Sequence, residues 1–338
     1  MYYFLFFTLI GDYVIFMPKY FQTIGFSPTQ IGIVFSMMPI ARFLTPFVYL
    51  KKPLSSKDYI SALIISSLSG FLIFTKNFYL ISLAFFILGA SFAVVFPFIE
   101  AIAIEKLKEK YGLSRVYGSL GFMLFGIIAS YIHIDLVCAF IVLLILTNLT
   151  ALYFTQNKTI KKEYSKIFLT KEWKFWTALI LMQISFGGFY NFFTIFNLKH
   201  GIEKEYIGWL WAIGVTAEIG IFVIGHKFLK KLPPIKWIKI SILLTSVRWL
   251  MVWAFAGNLI MIALSQLIHA FSFAIFHTSA LLYISQKYKN KTLAQQFYAG
   301  IGYGFAAFLG SILSGMLYGD NLFLYESLLA LLGFLVML

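Results

Sequence analysis

The chain has 338 residues, of which 61% are hydrophobic, and a mean hydropathy of +0.87, values that suit a polypeptide dissolved in lipid. Its net charge is +14, yet the basic residues follow the loops of a membrane topology, which excludes a nucleic-acid partner. A single cysteine, Cys138, lies in an apolar run and excludes an intrachain disulfide or a multi-cysteine metal site.

A membrane helix needs about 20 mostly apolar residues. Twelve such segments follow one another, at 2–24, 29–50, 59–75, 78–104, 115–133, 136–154, 173–197, 205–226, 238–256, 259–285, 294–317 and 321–338. Span and loop together average roughly 28 residues, which leaves only short loops and no room for a soluble domain. The first segment lacks a basic leader and a small-residue cleavage site, so it is expected to stay as helix 1 and not to be removed as a signal peptide. The expected fold is therefore an all-α integral membrane protein with twelve transmembrane helices.

Loops assigned alternately to two sides divide the charge unevenly. Those after helices 2, 4, 6, 8 and 10 hold 21 of the 27 basic residues, whereas the other side holds Lys19, Lys76, Lys199 and Lys204. Lys and Arg accumulate in cytoplasmic loops, so both termini are expected in the cytoplasm and the span count is even.

The longest and most basic loop divides the spans six and six. We expect bundles at 1–155 and 173–338, joined by a cytoplasmic linker at 156–172. A repeat supports this division. The stretch from Gly25 to Ile31-Gly32 recurs, 176 residues on, from Gly201 to Ile207-Gly208. Both copies lead from an outer loop into the second helix of their half. Parallel six-helix halves with a midplane site between them are a recurring transporter plan. The same offset carries Arg42 onto Glu218, placing opposite charges at related depths. Pro18, Pro39, Pro97, Gly187-Gly188, Gly300, Gly302 and Gly304 interrupt several helices, which is tolerated where neighbours or cavity water satisfy the backbone.

Glu100, Glu218, Arg248, Asp12 and Arg42 lie inside apolar runs. An ionisable group there is rare and usually faces a bundle interior or a water-filled cavity, so each is a candidate functional residue. A short turn joins helices 4 and 5, so Glu100 and Arg115 can meet, lowering the cost of burying both and offering directional contacts to a polar ligand. Arg115 also reads as an anchor at the membrane surface. In the second half, Glu218, Arg248, His269 and His277 fall on helices 8, 9 and 10. Removal from water favours the neutral form of a carboxylate, which suits Glu218 to accept and release a proton; a structural ion pair with Arg248 is the other reading. The two histidines, eight apart, share one helical face. His277 reads equally as a ligand contact or as a residue bonded to a neighbour. Asp12 can pair with Arg42 or face substrate. Gln183, Tyr190 and Asn191 are candidate wall residues of helix 7.

These residues resemble the major facilitator superfamily, and within it the phenylpropionate permease-like branch related to lactose permease. The resemblance spans nearly the whole chain. It is carried by Ala41-Arg42-Phe43-Leu44, by Pro97 through Glu100 with Arg115 through Ser119, by Gly208 through Glu218, by Ser246 through Trp249, and by Gln266 through His277. It implies a major facilitator fold of two pseudo-symmetric bundles. It also implies substrate binding by Glu100 and Arg115, with Tyr190, Asn191 and His277 as further wall candidates, and proton coupling through Glu218, Arg248 and His269. Lactose permease carries a further Glu three residues after its helix 10 His; Ser272 stands there in this chain. The acidic residues of its helix 7 and the Lys of its helix 11 are also absent. The loop from Leu50 to Asp58 is a degenerate form of the family's cytoplasmic gating motif.

The expected protein is thus a monomeric secondary transporter of the bacterial inner membrane, with no cofactor and no metal. Its partners are a small-molecule substrate, protons and the bilayer. Import of an aromatic carboxylate or sugar with protons is the leading reading, and efflux in exchange for protons is the alternative within the class. A polytopic membrane enzyme is a remote alternative, since the only surface His and Asp cluster, His133 and Asp135, has no second group beside it.

Overall fold

A computed structural model describes residues 1–49, 55–108, 111–154 and 169–338, apart from the side chains at 113, 222, 224 and 226–228. The described residues form twelve helical segments: α1 (Tyr2–Thr23), α2 (Pro28–Val48), α3 (Ser56–Thr75), α4 (Phe78–Leu107), α5 (Tyr111–Tyr131), α6 (Leu136–Leu152), α7 (Leu169–Lys199), α8 (Lys204–Leu229), α9 (Pro234–Ala254), α10 (Leu259–Lys287), α11 (Lys291–Met316) and α12 (Leu322–Met337). All are within a few residues of their expected bounds. Eight are long and apolar enough to cross a bilayer, and α6 and α12 are shorter apolar helices. Most of the expected linker at 156–172 lies outside the described residues.

Pairing follows a sixfold shift. In the first bundle α1 packs on α5 and α6, α4 on α2 and α3, and α3 on α6; in the second α7 packs on α11 and α12, α10 on α8 and α9, and α9 on α12. Polar bonds stitch the matching outer seams. Asn148 on α6 donates to Ser66, Ser67 and the Leu63 carbonyl of α3. Ser246 on α9 and Ser327 on α12 each donate to the other's carbonyl at 2.9 Å. Between membrane helices such bonds and close packing replace the hydrophobic drive that lipid removes. Large apolar side chains such as Ile64, Leu68, Leu149, Leu328 and Leu332 stay exposed, as a lipid-facing surface requires.

The repeat noted in the sequence has a structural cause. Gly25 and Gly201 take left-handed φ values of +95° and +87° where α1 and α7 end. The next N–H closes a bond five residues back in each copy, Phe26 to Phe21 and Ile202 to Asn197, which is a Schellman ending. Gly32 and Gly208 then sit where the bundles cross. A Cβ on Gly32 would lie 2.5 Å from the Ser311 carbonyl of α11, and one on Gly208 would lie 2.1 Å from the Gly126 carbonyl of α5. Thus α2 against α11 and α5 against α8 form matching crossings near one end, the lysine-poor end. Ser130 and Tyr131 of α5 tighten the second, meeting the Gly208 N–H at 2.9 Å and the Trp209 indole at 3.1 Å.

Helices deform at two of the interruptions read in the sequence, Gly187-Gly188 of α7 and Gly300 to Gly304 of α11, whereas α2 and α4 run on through Pro39 and Pro97 and the turn in α10 contains neither Gly nor Pro. Turns of the wider π type occupy Asp12–Phe16 in α1, Ala270–Ile275 in α10 and Gly300–Ala306 in α11, and α7 breaks between Ile184 and Gly187. Such turns are frequent at functional sites.

Candidate functional site

In the first bundle, α4 and α5 deliver the expected pair. Arg115 Nη1 lies 3.3 Å from Glu100 Oε1, and the Tyr111 hydroxyl donates to the same oxygen at 2.5 Å. The guanidinium lies over the rings of Tyr3, Phe7 and Phe96 at 5.1–5.6 Å. Three rings hold the cation while Glu100 fixes one edge, so its remaining donors stay usable. The Glu100 and Arg115 side chains keep 31% and 38% of their surface exposed. They are partly exposed, unlike a pure packing pair.

The second bundle is drier. Arg248 is fully buried. One Nη1 contacts His269 Nδ1 at 2.9 Å and Ser272 Oγ at 3.1 Å, and Nη2 donates to Gln266 Oε1 at 2.7 Å. An arginine only donates, so Nδ1 carries the lone pair and the ring proton is on Nε2. That edge faces Glu218, whose Oε2 is 3.7 Å away. A structural ion pair between Glu218 and Arg248, the other reading of the sequence, is therefore not formed; a neutral His269 stands between them. The physical reason is reach: Arg248 is drawn onto α10 by three acceptors and stacked on Phe189 at 4.2 Å. Glu218 retains 17% exposure. The charge of Arg115 in the first bundle reaches both Glu218 and His277 in the second.

The two histidines of α10 do share a face, each stacked on Phe273 from opposite sides. His277 Nδ1 bonds the hydroxyls of Tyr303 and Tyr298 at 3.0 and 3.2 Å, so neighbours already satisfy it. Tyr190 stacks on Phe186, meets Phe189 edge to face and is half-buried. Asn191 is buried and turned to Ser314 of α11 at 3.4 Å, while Gln183 is also buried. Asn191 thus holds a helix seam and does not front an open wall.

Of the two readings of Asp12, the pair with Arg42 is not formed. Asp12 is fully buried with neither oxygen bonded, whereas Arg42 is exposed and makes no ion pair among the described residues. Ala41 packs against Gly89 of α4 and Phe43 against Gly304 of α11, which turns Arg42 between those neighbours and away from Leu44 and Val48 on the exposed apolar side.

Tyr111, Gln266, Tyr298, Tyr303 and Glu326 are site neighbours that the sequence reading did not single out. Glu326 had a signal, since it too is an acid within an apolar run. A separate cleft of about 400 Å³ lies at the lysine-poor end, lined by Lys19, Gln22, Lys199 and Tyr318 among others, and is distinct from this central cluster.

The family model described as "MFS_1 like family" matches residues 1–326. A probable 3-phenylpropionic acid transporter of Escherichia coli (strain K12) is 25% identical, covering 96% of this chain and 93% of that one. The uncharacterized transporter YwbF of Bacillus subtilis (strain 168) is 24% identical, covering 86% and 78%. Among solved structures, the nucleoside transporter NupG superposes with a TM-score of 0.79 at 17% identity, covering 99% of this chain and 96% of that one. A bacterial homologue of the iron transporter ferroportin, in an inward-facing state, superposes with a TM-score of 0.76 at 12% identity, covering 99% and 95%.

Proposed function

The chain belongs to the MFS_1 like family, and on that premise we propose that it imports a small organic solute, such as an aromatic carboxylate or a sugar, in symport with protons. It is a membrane transporter of the major facilitator type and not an enzyme. The name of the Escherichia coli relative favours an aromatic carboxylate. So does an exposed Arg42 that forms no ion pair among the described residues.

In this reading Glu100 and Arg115 bind substrate, with Tyr190 and His277 shaping the wall and Asn191 holding the seam behind it. Glu218 exchanges the proton. When it is ionised, it attracts the Nε2–H edge of His269, which Arg248 holds in place; when it is neutral, that attraction is gone. The bodies that rock are residues 1–155 and 173–338, joined by the loop at 156–172. Both termini face the cytoplasm of the bacterial inner membrane, and a monomer suffices.

The observation that carries the reading is the placement of Glu218. It keeps 17% of its surface exposed, within reach of the charge of Arg115 and 3.7 Å from the proton-bearing edge of His269. The test is the protein in liposomes with lumenal pH recorded against 3-phenylpropionate, sugars and nucleosides. One class should carry protons inward. Glu218→Gln should abolish uphill accumulation yet spare exchange of labelled solute. Accumulation that survives this change refutes the assignment.

A further inference from the structure

Glu326 lies on α12, against α7 and α9, and is 3% exposed. Its Oε1 accepts the Gly188 N–H, and its Oε2 has no hydrogen-bond partner. A Cβ on residue 188 would lie 2.5 Å from Oε1 and 2.9 Å from Oε2, so the carboxylate reaches the backbone only because that residue is glycine. Gly187 and Gly188 begin the second segment of α7. The first N–H groups of a helix have no partner within it, and its dipole favours an anion there. Glu326 therefore caps the break, and Trp249 steadies it from α9 by a 3.2 Å bond to Ser185. The next residue, Phe189, carries the Arg248 guanidinium on its ring. A buried anion and a buried cation thus hold consecutive residues of α7, just before Tyr190 and Asn191. Among the described residues Arg248 forms no ion pair within bonding distance, and Glu326 is an acid whose charge reaches it. The other groups facing this seam are Tyr190 of α7 and, beyond Arg248, His269 and Glu218.

The internal repeat adds an independent observation. The 176-residue offset that superposes Gly25 on Gly201 carries Asp12 onto Gly188. Asp12 is also fully buried with unbonded oxygens, and it opens the π turn of α1. Each bundle thus places one buried carboxylate at the distortion of its first helix, supplied by α1 in one half and by α12 in the other.

We propose that Glu326 is a proton-exchanging cap on α7: ionised it holds the Phe189–Asn191 segment at the site, and protonated on Oε2 it lets that segment go. The physical basis is that a charge-assisted bond to the Gly188 N–H is roughly twice as strong as a neutral one. The inference rests on the central space being the transport site and adds a second proton position to Glu218. It makes Glu326 a positioning residue.

Two measurements test it. The first needs no substrate: infrared difference spectra of the reconstituted protein across pH, wild type against Glu326→Gln. A carboxylic acid C=O band that titrates in the wild type and is missing in the variant is expected. No titrating difference overturns the proposal. The second is exchange of labelled 3-phenylpropionate. In a Glu218→Gln background, which spares exchange and removes that group's own titration, KM should rise about 2- to 10-fold as pH falls, while adding Glu326→Gln, which keeps the acceptor but never the charge, holds it at the acid value throughout. Gly188→Ala should raise KM in the wild type yet add nothing on top of Glu326→Ala, where the clashing oxygens are gone. An unchanged pH profile on adding Glu326→Gln, or additive effects of the two alanines, overturns the proposal. If the wild type does not exchange 3-phenylpropionate, that substrate reading fails, and the infrared result still decides the proton position.

Discussion

Replacing Gly208 by alanine tests the closure of the bundles at the lysine-poor end. The added Cβ would meet the Gly126 carbonyl oxygen at 2.1 Å, its carbon at 2.4 Å and the Ile127 Cα at 2.7 Å. All three are backbone atoms, so no side chain can rotate away. α5 and α8 must part, and parting also strains the bonds that the Gly208 N–H and the Trp209 indole donate to Ser130 and Tyr131. Overpacking of this kind costs about 1–3 kcal/mol. Because the clash exists only while the bundles touch here, that cost falls on the closed state. The balance should move toward opening by about 5- to 150-fold. Ile15 is a suitable reporter, since it is fully buried and its Cδ1 would lie 2.7 Å from a Cβ on Gly126, directly beneath the crossing. In a Cys138→Ser background, Ile15→Cys should react with an impermeant maleimide that much faster when Gly208→Ala is present. Gly220→Ala on the same helix meets nothing within 4 Å and is the control. Equal labelling rates in Gly208→Ala and Gly220→Ala would refute the reasoning.

Arg248→Lys keeps the charge but loses the fork that reaches Gln266, Ser272 and His269 together. It should lower the thermal midpoint of the purified protein and abolish accumulation, and an unchanged midpoint would mean that the three bonds do not anchor α9 to α10. At the lysine-poor end, Lys199 donates to Asp320 at 2.6 Å and holds its carboxyl below the usual carboxylate range. That pairing is present at neutral pH and is lost as pH falls through the depressed value. Lys199→Met should move the Asp320 titration, followed by NMR of a carboxyl-labelled sample, up toward about 4. A titration that stays where it is would assign the depression to another group.

The order of spans, their number and the six-and-six plan are legible in the chain, because lipid imposes a length and a composition on every crossing helix. The repeat of Gly25 and Gly32 at Gly201 and Gly208 is legible as well, since each glycine answers a local demand, a left-handed ending or a backbone crossing. The meeting of Glu100 with Arg115 follows from the short turn that joins their helices. Partnerships between distant helices do not follow. Arg248 chooses Gln266, His269 and Ser272 over Glu218 because of how α9 and α10 lean together, and helical period alone carries no such information. Asp12 and Arg42 occupy promising depths on neighbouring helices, yet one is sealed inside and the other exposed, a difference set by the rotation of α2 against α4 and α11. Glu326 shows the division most clearly. The sequence marks it as a charge that lipid would reject, and only the packing of α12 on the broken α7 supplies Gly188 as its partner. The sequence by itself determined which residues lipid would not tolerate unpaired; the tertiary structure decided the partners, because they are set by the rotation and contact of helices far apart in the chain.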